Sequence, residues 1–449
     1  MCRLDWGLAP HHLGRICASG ACSLSHLREV TRYSSAECDD GAMVPDAEKD
    51  LGMPQVPMDD QVAPLELDPD AFGTYVHIPF CSHRCDYCDF ATWADRSHLI
   101  DDYVDACVKD LHRQRGEGLR DATSIFFGGG TPSLLSGAQL ARILDAIPRT
   151  PSAEITVECN PDAADAQRLD AYAQAGVNRL SFGVQSLEPR VLAALGRTHN
   201  PENVFAAVNN ARAAGIKRLN LDLIYGTPGE SIDDWRASLE GVIALAPEHI
   251  SAYALTVEPA TPFGQRVASG EEGPDDDRQA DAYLLAEGLL KAAGYNWYEI
   301  SNWSLLGEEC RHNLVYWLGG DFATVGCAAH GHSGGRRWWN VRTPERFIER
   351  VEAGRDAISG SEEIESGLRL EEAFSLRLRT RAGVSPGEAA DSVVNDLIEG
   401  GLAKWVPRSA GVEGAGESGP RRYLVLTPQG RLVATDVTAR LLLAGAAVR

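Results

Sequence analysis

The chain has 449 residues, 44% hydrophobic and 24% charged, close to globular averages, which excludes collagen-like, mucin-like and wholly disordered classes and leaves length for about three domains or one large α/β barrel with extensions. No stretch approaches the ~18 consecutive apolar residues of a membrane span, and the longest uncharged apolar run near an end is Leu441 to Val448. Lys plus Arg (42) against Asp plus Glu (64) leaves a net charge of -22, which repels a phosphate backbone and argues against nucleic-acid binding.

Residues 1–68 differ from the rest: they hold four of the 11 cysteines (Cys2, Cys17, Cys22, Cys38), all four methionines (Met1, Met43, Met53, Met58) and little apolar periodicity. They read as a disordered tail, with Met43, Met53 or Met58 as alternative starts of translation. Arg3, Asp5, His11, His12 and Arg15 interrupt any secretory apolar core, and Asp5 and Glu29 argue against an organellar leader. The cysteines are therefore expected to be reduced thiols or metal ligands in a cytoplasmic compartment.

From Gly73 onward, β-branched or aromatic runs alternate with helical stretches. Tyr75–Ile78, Ser124–Phe127, Ile155–Val157, Arg179–Phe182, Leu219–Ile224 and Ile250–Leu255 read as strands. Ala138 to Ile147 and Val204 to Ala214 carry apolar residues at helical spacing, and Gly176 and Gly215 stand where helices should stop. Six repeated βα units predict an α/β fold, a partial parallel (β/α)6 barrel over residues 69–270. The acidic link Gly270–Asp277 ends the repeat, a helix from Arg278 to Ala293 begins a barrel extension over 271–366, and residues 367–449 read as short helices followed by Tyr423–Leu426, like a small winged-helix module. A flexible Gly/Ser/Glu loop is expected between Pro407 and Arg421. From Ser366 to Arg449 eleven basic and nine acidic side chains are scattered rather than striped, which favours a packing role over DNA binding.

The strongest chemical signal is Cys81-Ser-His-Arg-Cys85-Asp-Tyr-Cys88, directly after the first strand. Thiolates are the soft ligands that iron–sulfur and zinc centres select. Three of them on a [4Fe-4S] cube leave one iron open for a substrate or cofactor; the alternatives are a zinc site completed by His83 or a distant cysteine, or plain buried thiols. Gly128, Gly129, Glu158, Gln185 and Gly226 fall at the C-terminal ends of successive strands, the edge where barrel active sites are built. A glycine run there lets backbone approach an amino-acid moiety, and Glu158 or Asp222 can accept hydrogen bonds from an ammonium or ribose. Alone, Gly-Gly-Gly would be a tight turn and Arg197 a surface charge. Cys107, Cys159 and Cys327 stand singly and read as small buried apolar residues.

The Cys-x-x-x-Cys-x-x-Cys loop resembles the signature of the radical S-adenosylmethionine superfamily. Tyr75–Phe80, Gly128-Gly-Gly-Thr-Pro132, Glu158, Gly183-Val-Gln185 and Asp222–Pro228 are similar to the branch containing the oxygen-independent coproporphyrinogen oxidases, a likeness running from about Gly73 to the C-terminus. The resemblance implies that Cys81, Cys85 and Cys88 hold a [4Fe-4S] cluster. It also implies that Tyr75, Tyr87, Gly128, Gly129, Thr131, Glu158, Gln185, Arg197 and Asp222 line the S-adenosylmethionine pocket, with Arg197 pairing the cofactor carboxylate. The oxidases carry a fourth cysteine two positions after the third; here that position is Phe90. Together with His312-Asn-Leu-Val-Tyr-Trp317, this resembles the haem chaperone family, relatives that share cluster and barrel but bind haem and pass it to an acceptor protein. The implied haem site is His312, with Tyr316 and Trp317 against the porphyrin; Cys310, His330 and His332 are rival ligands. The plain alternative is that His312 bonds a core carbonyl and Trp317 fills the barrel mouth. The acceptor and the electron donor are not named by the sequence.

Overall fold

The protein is described by a computed structural model over residues 65–407 and 422–446. The expected tail up to residue 64, its cysteines and methionines, and the loop over 408–421 lie outside the described residues. Six parallel strands form in chain order, the first five each containing a predicted run and the sixth ending one residue short of the expected Leu255: β1 (Phe72–Ile78), β2 (Ala122–Gly129), β3 (Arg149–Cys159), β4 (Arg179–Gln185), β5 (Arg218–Tyr225) and β6 (His249–Ala254).

Helices join them, and their starts are written locally. Ser136, Asn200 and Ser231 each accept from the third helical N–H while the residue at that position bonds back to the cap, a reciprocal pair whose loss costs about 1 kcal/mol. Gly176 and Gly215 end helices with φ of +102° and +83°, backbone that a side chain disfavours. Alternate strand residues divide the sheet into two faces. Val76, Ile78, Ile125, Phe127, Ile155, Val157, Leu180 and Phe182 pack with Tyr103, Leu111, Leu140 and Tyr172 of the helices in one core. The opposite, inner face is polar although buried: Ser124, Glu154, Thr156, Ser181, Asn220 and Ser251.

The sheet runs to twelve strands, extended on both sides of these six. Beyond β6 come the antiparallel β7 (Asn296–Glu299) and β8 (Asn302–Ser304). On the other side β9 (Asp321–Val325) runs parallel to β1, so a seventh parallel strand joins the six expected. It was hidden in sequence because no βα repeat delivers it. β10 (His330–Ser333), β11 (Arg336–Asn340) and β12 (Ile358–Glu363) continue antiparallel from it. After them, helices Ser366–Leu378, Asp391–Glu399 and Ala434–Leu443 surround the hairpin of β13 (Ala403–Pro407) and β14 (Arg422–Leu426), with a separate core that includes Leu378, Val394, Leu397, Leu424 and Leu441. Leu65, placed in the tail by composition, is buried against Tyr298 and Ala382 beside Leu314 and Leu318. No helix among the described residues is long and apolar enough to cross a membrane.

Candidate functional site

The cysteine loop leaves β1 at its C-terminal end and is tied at several points. Cys81 N–H donates to the Trp93 carbonyl at 3.0 Å and Trp93 N–H to the Pro79 carbonyl at 2.8 Å. Asp86 takes the Arg266 guanidinium at 2.7 Å, and its carbonyl accepts from Phe263 N–H at 3.0 Å, so the helix Pro262–Ala268 braces the loop. Phe90 is half-buried beside it.

Donors point at the thiols. The Thr131 hydroxyl lies 3.7 Å from Cys81 Sγ, and Arg197 Nη1 lies 3.5 Å from Cys85 Sγ. A side chain at Gly130 would meet Cys81 Sγ at 3.0 Å and the Phe80 carbonyl at 2.5 Å, so only glycine lets this strand end pass so close. Burial raises the Cys81 and Cys88 thiols, Cys88 to about 11, and the neighbouring cysteines add to both shifts. Such thiols ionise only with compensating positive charge, which metal binding provides. Among the described residues no group of three His, Cys, Asp or Glu converges on a single ion. A cube differs from a zinc ion here, since each thiolate binds a different iron, and three free thiols in one loop, two of them with donors aimed at their sulfurs, fit that donor set.

The strand ends meet the loop. Glu158 accepts from Gly129 N–H at 3.1 Å, and a side chain at Gly128 would strike Phe126, Tyr75 and Glu158. Burial raises the Glu158 carboxyl, and nearby Asp222 adds to the rise. Asp222 accepts from Ser181 Oγ and Asn220 Nδ2, both at 2.8 Å. Gln185 adopts φ +64° at a break in the β4–β5 register, an uncommon backbone for a residue with a side chain and one that concentrates at functional sites. Tyr87 is half-buried against Val191, Leu195 and Ile224, near enough to Arg197, Cys85 and Asp222 to feel their charge, with burial raising its hydroxyl pKa above the usual tyrosine value. Tyr75, Glu158, Gln185 and Asp222 are each only half-buried whereas the strand residues flanking them are buried, so the inner face opens at this edge.

Arg197 departs most from its plain alternative. Its Nη2 donates to the Gly183 carbonyl at 2.8 Å and to Asn160 Oδ1 at 3.0 Å, and Asn160 Nδ2 donates to Thr131 Oγ1 at 3.3 Å. Arg197 Nε is buried with no partner among the described residues, an open donor that fits a carboxylate. Asn160, absent from the candidates read in sequence, links the Thr131 and Arg197 sides; Asn-Pro after β3 was a turn signal and nothing more. His77 was also missed. Its Nε2 donates to the Ala91 carbonyl at 3.0 Å, which leaves Nδ1 to accept from the Tyr75 hydroxyl at 3.1 Å.

His312 lies elsewhere. It stands on the helix Arg311–Trp317 against the inner face near the N-terminal halves of the strands, and it is 0% exposed. Nδ1 is 3.0 Å from Ser124 Oγ and Nε2 is 2.8 Å from the Tyr316 hydroxyl. Its ring stacks on Phe126 and, farther off, on Tyr75, and burial pushes its pKa down to about 3. Glu154, in a buried pair with Arg179 at 3.0 Å, accepts from the backbone N–H of Arg311 at 2.8 Å and so anchors this helix. These partners hold His312 in the interior, as the plain alternative has it, and Trp317 is buried with this helix. Cys310 is buried near Glu154, and burial pushes its thiol up to about 12. Cys107, Cys159 and Cys327 are buried in the main core.

A family model for the Radical SAM superfamily matches residues 75–241. Heme chaperone HemW from Mycobacterium tuberculosis is 39% identical over 397 residues, which span 85% of this chain and 97% of that protein. Heme chaperone HemW from Bacillus subtilis is 36% identical over 348 residues, 74% of this chain and 92% of that one. Among solved structures, coproporphyrinogen III oxidase (HemN) from Escherichia coli, a radical SAM enzyme, matches with a TM-score of 0.70 at 22% identity, covering 83% of this chain and 90% of that one. That likeness is one of fold.

Proposed function

Because the chain belongs to the HemW haem chaperone family of the radical SAM superfamily, we propose that it binds haem and transfers it to an acceptor protein in the cytoplasm. Cys81, Cys85 and Cys88 would hold a [4Fe-4S] cluster, and S-adenosylmethionine would occupy the open edge of the inner face. The observation that carries the cofactor part is one continuous hydrogen-bonded set, Cys81–Thr131–Asn160–Arg197–Cys85, joining two of the cluster thiols to the strand ends. In this assignment the buried Nε–H of Arg197 faces the cofactor carboxylate and Glu158 and Asp222 take its ammonium or ribose donors. Gly128 and Gly129 allow the backbone to approach, and Tyr75, Tyr87, Thr131 and Gln185 complete the lining. A cluster held there would, when reduced, be a source of one electron for the sulfonium.

The rival activity, oxidative decarboxylation of coproporphyrinogen III, uses the same cluster and barrel. Phe90 supports the chaperone: a phenyl ring replaces the oxidases' fourth cysteine and cannot ligate, transfer hydrogen or change redox state as a thiol does. The test is anaerobic reconstitution followed by two assays. Reduced protein given S-adenosylmethionine and coproporphyrinogen III should form no protoporphyrinogen, while hemin should bind at a saturable site. Turnover above background would overturn the chaperone reading in favour of the oxidase. A third possibility, a structural metal protein, predicts neither hemin binding nor S-adenosylmethionine binding.

A further inference from the structure

Resting on the cluster assignment above, we propose that the hydroxyls of Thr92 and Thr131 both donate to Cys81 Sγ and so raise the reduction potential of the cluster. Cys81 is the most deeply set of the three cysteines, 9% exposed, while Cys85 and Cys88 are half-buried. Its sulfur is therefore the one least reached by water. A thiolate at that position has to find its hydrogen bonds within the protein, where the low local dielectric makes each of them count for more.

Backbone pairing brings both threonines to Cys81. From the end of β2, Thr131 N–H donates to the Phe80 carbonyl at 2.8 Å, and its Oγ1 lies 3.7 Å from Cys81 Sγ. The direction of that contact is fixed by its neighbours. Arg197 Nη2 donates to Asn160 Oδ1 at 3.0 Å, so the other end of the amide, Nδ2, donates to Thr131 Oγ1 at 3.3 Å. The hydroxyl thus receives one hydrogen bond and has its own proton to give to the sulfur.

Thr92 comes from the return of the cysteine loop. Trp93 bridges Phe80 in parallel, its carbonyl accepting from Cys81 N–H and its N–H donating to the Pro79 carbonyl, which lays Thr92 alongside the start of the loop. Thr92 is 4% exposed, and its Oγ1 is buried with no hydrogen-bond partner among the described residues. An unpaired buried hydroxyl is costly. A protonated thiol is a weak acceptor, whereas an iron-bound thiolate carries the negative charge that such a donor pairs with. Burial raises the Cys81 thiol, and Thr131 and Thr92 both act against that rise, so each favours the anionic sulfur. Hydrogen bonds to cluster sulfurs stabilise the reduced, more negative state and move the potential upward.

The experiment is a redox titration of the full chain, with its cluster reconstituted and no S-adenosylmethionine present. The reduced cluster is followed by electron paramagnetic resonance, and iron content is measured in parallel. Thr92→Val keeps the side-chain shape and removes the hydroxyl. At a fixed potential it should hold about tenfold less reduced cluster, a midpoint about 59 mV more negative for one electron. Thr131→Val should move the midpoint in the same direction, and Thr92→Ser, which keeps the hydroxyl, should retain the wild-type value. Thr74→Val, at an equally buried and unpartnered threonine near the start of β1, should leave the midpoint unchanged. Iron should stay at about four per chain in all of them, and Thr92→Ala reads the same loss of the hydroxyl should valine not be accommodated. A wild-type midpoint without the Thr92 hydroxyl, or an equal shift in Thr74→Val, would overturn the proposal while leaving the cluster standing. Absence of a four-iron cluster in the wild type would overturn the cluster assignment and this proposal with it.

Discussion

His312 offers a quantitative test of its place in the fold. Its pKa is pushed from about 6.5 to about 3 by burial, so the folded chain refuses a proton that the unfolded chain accepts. Above pH 6.5 the imidazole is neutral in both states and its contribution to stability is fully present. Below pH 6.5 the unfolded state gains a proton, and stability falls with decreasing pH until the folded histidine also titrates near 3. Each pH unit in that window costs about 1.4 kcal/mol, so lowering the pH from 6.5 to 5 removes about 2 kcal/mol through this one residue. His77 and His199, each depressed to about 4 by burial, act in the same direction. The assay is urea unfolding at pH 6.5 and pH 5 for the wild type and His312→Asn. The wild type should lose about 2 kcal/mol more than the variant between the two pH values. Equal losses would refute the claim that His312 is held neutral between Ser124 and Tyr316.

Other outcomes follow from the same geometry. Reconstituted protein should hold about four iron per chain; Cys81→Ala, Cys85→Ala or Cys88→Ala should each lose it, while Cys107→Ala, in the apolar core, should not. Glu158→Ala or Gln185→Ala should weaken S-adenosylmethionine binding with iron content intact, and equal affinity by calorimetry would remove them from the pocket. Asn160→Ala breaks the link between Thr131 and Arg197 and should reduce cofactor affinity by about tenfold, the scale of one charge-assisted hydrogen bond. A chain starting at Met58 retains Leu65 and its partners and should fold, take up iron and bind the cofactor as the full chain does; insolubility of that shorter chain alone would show that the preceding residues are structural.

The outer, helix-facing half of the fold was legible because its signals are local. Val76 and Ile78, or Ile125 and Phe127, announce a strand face by alternation, and Gly176 and Gly215 each mark a helix end at a single position. β9 was not legible. Asp321–Val325 is short and lies more than 60 residues after β6 closes the βα repeat, so nothing nearby says that it returns to the far side of β1. The same distance hides Leu65, whose burial depends on Tyr298 and Ala382.

The inner face shows why part of the site was readable and part was not. Glu158 and Gln185 stand at the C-terminal ends of β3 and β4 and Asp222 within β5, positions that follow from the strands, so their falling on one side of the sheet could be anticipated. Ser124, Glu154 and Asn220 look in sequence like the solvent side of an ordinary strand, because a polar residue at an alternate position is compatible with either water or a polar interior. What separates the two is the partner: Glu154 meets Arg311, 157 residues away, and Ser124 meets His312 across 188. Those contacts turn a motif histidine into a buried, hydrogen-bonded one. A sequence pattern marks which segments matter in such a chain; which nitrogen within them can reach a ligand is decided by burial, and burial is set by residues far away along the chain.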